Sequence, residues 1–145
     1  MTQQEQKQLY ETIMQGSSAP GQFSALAGLV FDKLDETGVE GHFEARQELC
    51  NPFGIVHGGV YYTLMDQLAG MAACSTGRGA VTLDCSVNYL QSARMGDTVR
   101  CRVEPVRVGR SIGVYEAKCY GEQGELQCTG TFHMFFLGEL DALVK

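Results

Sequence analysis

The sequence predicts a two-layer α+β domain: an antiparallel sheet wrapped around one long central helix, with an extra helix at the N-terminus. Three patterns carry that expectation. Residues 60–74 are apolar apart from Thr63, Asp66 and Gln67, and a helix that is hydrophobic nearly all round belongs in the interior. Four segments in the second half alternate apolar and polar residues with period two, which marks strands with one buried face. The first sixteen residues are polar and charged, with Leu9, Ile13 and Met14 on one side. One apolar helix and a largely antiparallel sheet bury each other as two layers around a single core.

Taken in order, residues 3–15 read as a short surface helix. "GSSAPG" (16–21) breaks it with Gly, Ser and Pro, so residues 1–20 form a helical extension and 21–145 a single domain. Two extended segments follow, around 26–35 and 39–47, turning at "DETG". The turn-rich "CNPFG" leads into the apolar helix, which "HGG" opens. In "VTLDCSVNYL" (81–90), Val81, Leu83, Cys85, Val87 and Tyr89 alternate with Thr82, Asp84, Ser86 and Asn88, predicting one buried face. "DTVRCRVEPVRV" (97–108), "SIGVYEAKCY" (111–120) and "ELQCTGTFHMFFL" (125–137) continue the set, joined by "VGRS" and "GEQG". No repeat or linker divides the chain. A single sheet has a second face and edges to cover, so association with another copy is expected.

The 145 residues are 44% hydrophobic and 19% charged, which allows one domain with a real core. A net charge of -6 argues against a nucleic-acid surface, which needs clustered Lys and Arg. The N-terminus has neither the basic nor the apolar region of a signal peptide. No run approaches the ~18 apolar residues of a membrane span, so the expected location is cytoplasmic. The six cysteines, at 50, 74, 85, 101, 119 and 128, have no zinc-ligand spacing. They read as small buried hydrophobes.

Asp66 is the residue that demands a reason, because an isolated carboxylate is expensive among apolar side chains. Either Tyr62 or Thr63, on the same helical face, satisfies it, or it faces a cleft as general base or nucleophile. Gly58 and Gly59 open the same helix, where free N–H groups could hold a developing oxyanion. Eight helical residues span ~12 Å, so one helix reaches a single reacting carbon poorly from both Gly58 and Asp66. Two chains with antiparallel helices would bring one copy's Gly58 beside the other's Asp66. His57 reads equally as a helix cap, Asn51 as a turn former and Thr82 as an ordinary strand residue. His133 reads as a satisfied sheet histidine and His42 as exposed.

"NPFGIVHGGVYYTLMDQLAG" (51–70) resembles the N-x-x-G-x-x-H-G-G-x-x-x-x-x-x-D signature of the hotdog-fold acyl-CoA thioesterases, the phenylacetate-pathway (PaaI-like) group. The likeness continues through "VTLDCSVNYLQSARMGD", "VGRS" and "TFHMFF" and covers roughly residues 25–137. The resemblance implies a hotdog fold, dimers that pair into tetramers, and hydrolysis of an acyl-CoA with no metal and no cofactor beyond the CoA of the substrate. It implies Asp66 as base or nucleophile and the Gly58 amide as oxyanion donor. Asn51 would lie near the thioester carbonyl or the water, His57 would shape the site, and Thr82 would support the attacking water. Gly59 and Tyr62 would touch substrate, Phe53, Tyr61 and Tyr62 could line an acyl pocket, and CoA would lie near Arg110 and Ser111. Where many relatives read Y-L-R-P-A, this chain has "YLQSA", so Gln91 and Ser92 replace a cation and a proline, with Arg94 nearby. A hydratase of the same fold and a non-catalytic acyl-CoA sensor are the alternatives.

Overall fold

The N-terminal helix forms because Thr2 and Glu5 close a capping box: Thr2 Oγ1 accepts from the Glu5 amide at 3.1 Å, and Glu5 accepts from the Thr2 amide at 2.6 Å. The computed structural model describes residues 1–143, with this helix, α1, at Gln3–Ser17. Ile13 is buried and Leu9 and Met14 pack partly against the core, the face expected of it.

A second, one-turn helix, α2 (Phe23–Leu26), stands where the chain was expected to be extended from residue 26. Gly28 ends it in the left-handed region at φ +72, with the Leu29 amide donating back to the Ser24 carbonyl at 2.9 Å. The strand β1 therefore begins only at Val30 and runs Val30–Asp35. Its partner β2 (Gly38–Glu44) also stops short of residue 47, where a 3-10 turn at Gln47–Leu49 takes over.

The central helix α3 (Gly58–Cys74) buries Tyr61, Leu64, Met65, Leu68, Ala69, Met71, Ala72 and Ala73. The remaining strands are β3 (Arg78–Tyr89), β4 (Thr98–Val108), β5 (Ile112–Tyr120) and β6 (Leu126–Glu139), followed by a helical turn, α4, at Leu140–Leu143. They form one antiparallel sheet in the order β1-β2-β4-β5-β6-β3. Val39, Phe43, Val99, Val103, Tyr115 and Phe132 on its concave face close around α3 in one core. Gly59, Thr63, Asp66 and Gly70, spaced three and four apart, line the side of α3 that stays partly open. No described helix is long and apolar enough to cross a membrane.

The strand β3 departs from its sequence pattern. Thr82 pairs with Met134 and Asp84 with His133, so Leu83 is an extra, bulged residue. The bulge shifts the alternation by one. Thr82 faces the helix before it, and Cys85 and Tyr89 face the helix after it. Val81 and Leu83 are consequently 48% and 55% exposed, where unbroken alternation placed them inside. This strand is also an edge of the sheet, with nothing among the described residues pairing its outer side.

Candidate active site

Asp66 is half-buried, and its Oδ1 accepts a hydrogen bond from Thr82 Oγ1 at 2.6 Å. The two helical neighbours expected as local partners are engaged elsewhere. Thr63 donates to the Gly59 carbonyl at 2.8 Å, and the Tyr62 hydroxyl meets Cys85 Sγ. The second carboxylate oxygen has no hydrogen-bond partner among the described residues. A carboxylate tethered by one oxygen and free at the other is arranged to take a proton or attack a carbon. The hydrogen bond with Cys85, aided by burial, pushes the Tyr62 phenol up to about 12, so this ring stays neutral beside Asp66.

At the other end of the segment, His57 caps α3: its Nδ1 accepts from the Gly59 amide at 3.0 Å. The Val60 amide bonds to the His57 carbonyl at 3.0 Å. Between them the Gly58 amide has no acceptor among the described residues. It is a half-buried, oriented donor at the positive end of the helix dipole. Over it lies the ring of Tyr89, two of whose carbons would sit 3.2 Å from a Cβ at position 58. Only glycine leaves the donor and the ring this close.

Asn51 builds the loop before the helix. Its Oδ1 accepts from Phe53 at 3.0 Å and from Ile55 at 3.4 Å, and its backbone pairs with Ile55. The side-chain amide nitrogen remains to donate outward. Phe53 is 88% exposed and is not part of a pocket wall. A cleft of about 590 Å³ reaches His57 and Gly59 and has Phe23, Leu26, Leu49 and Val60 among its apolar walls.

The structure thus gathers the candidate residues in two clusters along α3. Asp66, Thr82, Tyr62 and Cys85 form one. Gly58, Gly59, His57 and Tyr89 gather about the other, some two helical turns away, while Asn51 stays in its own loop. Arg110 and Ser111 join neither: they sit in the exposed β4–β5 turn, where their carbonyls accept from Arg78 and Phe136. The alternation placed Cys85 and Tyr89 on the inward face of the strand but did not mark them as site residues, because period two does not say which inward side chains meet Tyr62 and Gly58. All six cysteines are free, and Cys50, Cys74 and Cys85 are only half-buried. His133 pairs with Asp84, and His42 with Asp32 at 2.7 Å. Among the described residues no three His, Cys, Asp or Glu side chains cluster as metal ligands would.

The sequence profile of the Thioesterase superfamily matches residues 53–128, a little over half the chain, with His57, Gly58, Asp66 and Thr82 inside it and Asn51 outside. The chain belongs to this superfamily. Like it is the 1,4-dihydroxy-2-naphthoyl-CoA thioesterase 2 of Arabidopsis thaliana, 33% identical over 97 residues, which are 66% of this chain and 62% of that protein. Among solved structures, a hypothetical thioesterase of Streptococcus pneumoniae with coenzyme A is 31% identical, with a TM-score of 0.73 over 77% of this chain and 90% of that one. That superfamily protein has also been solved with an aspartate and, separately, a threonine changed to alanine. The Escherichia coli PaaI protein, from the phenylacetic acid degradation operon, is 19% identical and shares the hotdog fold, with a TM-score of 0.84 over 94% of this chain and 96% of its own.

Proposed function

We propose that this superfamily member hydrolyses an acyl-CoA thioester to the free acid and CoA, at a site completed by two copies of the chain. The observation that carries the reading is the Asp66 carboxylate, held by Thr82 through one oxygen and unbonded at the other on the open side of a buried helix. In the pneumococcal protein the two mutated positions stand 16 apart, the separation of Asp66 and Thr82.

In this reading the free oxygen of Asp66 takes a proton from water as the water attacks the thioester carbon. Attack by the carboxylate itself, giving a mixed anhydride that water then opens, uses the same geometry. Thr82 keeps the carboxylate aimed by donating to Oδ1. The carbonyl oxygen gathers charge in the tetrahedral intermediate, and the partner copy's helix supplies the Gly58 amide to receive it. Collapse breaks the C–S bond, and the proton held by Asp66 returns to the departing CoA thiolate. His57 acts by capping, which leaves the Gly58 amide free. Asn51 donates to the carbonyl or the water, Gly59 and Tyr62 border the substrate, and the apolar cleft beside Gly59 receives the acyl body. Arg110 and Ser111 offer the CoA phosphates a cation and a hydroxyl. These steps need no cofactor.

Pairing across the open β3 edge, with the small-residue stripes of two α3 helices facing, brings the half-sites together. A dimer of this kind, alone or paired again into a tetramer, is the working assembly. The test is a panel of acyl-CoAs assayed for released thiol. We expect turnover on some of them, and a drop of about 10²- to 10⁴-fold in kcat for Asp66→Ala with unchanged thermal stability. Tight binding without thiol release would identify a sensor instead, and full activity in folded Asp66→Ala would remove Asp66 from the chemistry.

A further inference from the structure

The ring of Tyr89 lies against Gly58 at the start of α3. Its Cε1 and Cζ are 3.2 Å, and its hydroxyl 3.4 Å, from where a Cβ on Gly58 would stand. In a helix that Cβ direction leans toward the N-terminus, the same end to which the first-turn N–H groups point. The Gly58 nitrogen is about 2.5 Å from the Cβ position. The hydroxyl is therefore within about 6 Å of the amide nitrogen, and two donors that each reach one oxygen at about 3 Å can be no farther apart than that. Tyr89 is 54% exposed, and no described residue hydrogen-bonds its hydroxyl.

The alternation of β3 aims the side chain inward, and the ring is steadied edge-on against Tyr61, 6.4 Å between centroids. Partial burial raises the phenol above its ordinary pKa, so the group carries its proton through the neutral range. We propose that the Tyr89 hydroxyl is a second hydrogen-bond donor to the thioester oxygen, acting beside the Gly58 amide of the same copy. The inference rests on the hydrolase reading above and adds to it a catalytic side chain. The hydroxyl keeps its proton throughout; its hydrogen bond strengthens as the oxygen becomes an anion and relaxes when the thiolate leaves.

The experiment uses Tyr89→Phe, which keeps the ring and its contact with Tyr61 and removes only the hydroxyl. We expect kcat to fall about 10²-fold with little change in KM or thermal stability. Two inert ligands separate hydrogen bonding from packing: a CoA ketone that retains the carbonyl, and a CoA thioether that lacks it. The variant should bind the ketone roughly tenfold more weakly, the loss of one good hydrogen bond, and the thioether as the wild type does. A kcat unchanged in the variant, undiminished ketone binding, or equal weakening of both ligands would overturn the proposal. If the wild type cleaves no thioester but shows this ketone-specific loss, hydrolysis falls and the donor stands.

Discussion

At the scale of single residues, the site depends on a hydrogen bond 2.6 Å long between Thr82 and Asp66. A hydrogen bond to a charged group is worth about 1.5–3 kcal/mol. Thr82→Val keeps the shape and removes the donor, so kcat should fall roughly tenfold or more, whereas Thr82→Ser should retain most of it. Steady-state kinetics on the pair checks this; equal activity in Val and Ser variants would show the threonine to be only a strand residue. Asp66 and Gly58 were legible in the sequence because each breaks a local rule, a charge in an apolar helix and paired glycines at its start. Thr82 was legible only through the resemblance. Cys85 and Tyr89 were legible as inward residues of β3 but not as neighbours of Tyr62 and Gly58, and the inward turn of Thr82 was hidden because it depends on which residue of β3 bulges against β6.

At the scale of elements, α3 carries both Gly58 and Asp66 and holds them two turns apart. Its apolar pattern announced a buried helix, and the period-two segments announced the strands that hold it. The short α2 was hidden because four residues show no periodicity, and what closes it is the conformation of Gly28. The ~12 Å between Gly58 and Asp66 along the axis yields a prediction at this scale. Asp66→Ala and Gly58→Val proteins, each inactive alone, should regain activity when co-assembled, because a mixed pair contains one intact site. Up to half of the wild-type sites per dimer is the ceiling. Mixed assemblies, verified by mass, that stay inactive would place both groups of each site on one chain.

For the molecule as a whole, the buried tyrosines set a limit at high pH. Burial pushes Tyr61 and Tyr115 up to about 12, and an unfolded tyrosine titrates near 10. Below pH 10 both states hold these protons and their contribution to stability is complete. Between pH 10 and 12 the unfolded chain releases protons that the fold retains, so stability must fall as pH rises. Thermal midpoints measured from pH 8 to 12 should be flat at first and then descend, and a flat profile to pH 12 would show these phenols titrating freely. Tyr61 has reason to be held: it donates to Gln127 at 2.8 Å and accepts from the Ala93 amide at 2.9 Å, tying the loop after β3 to the helix that carries the site.

In the proposed dimer, the open side of β3 carries a consequence for each copy before it pairs. An isolated copy presents a twelve-residue strand with free amides and carbonyls, bearing Val81 and Leu83 in the open, which is a template for disordered association. Self-recognition and precipitation then compete for the same surface. Lesions that weaken pairing should surface as loss of recoverable protein, well ahead of any defect in the chemistry itself.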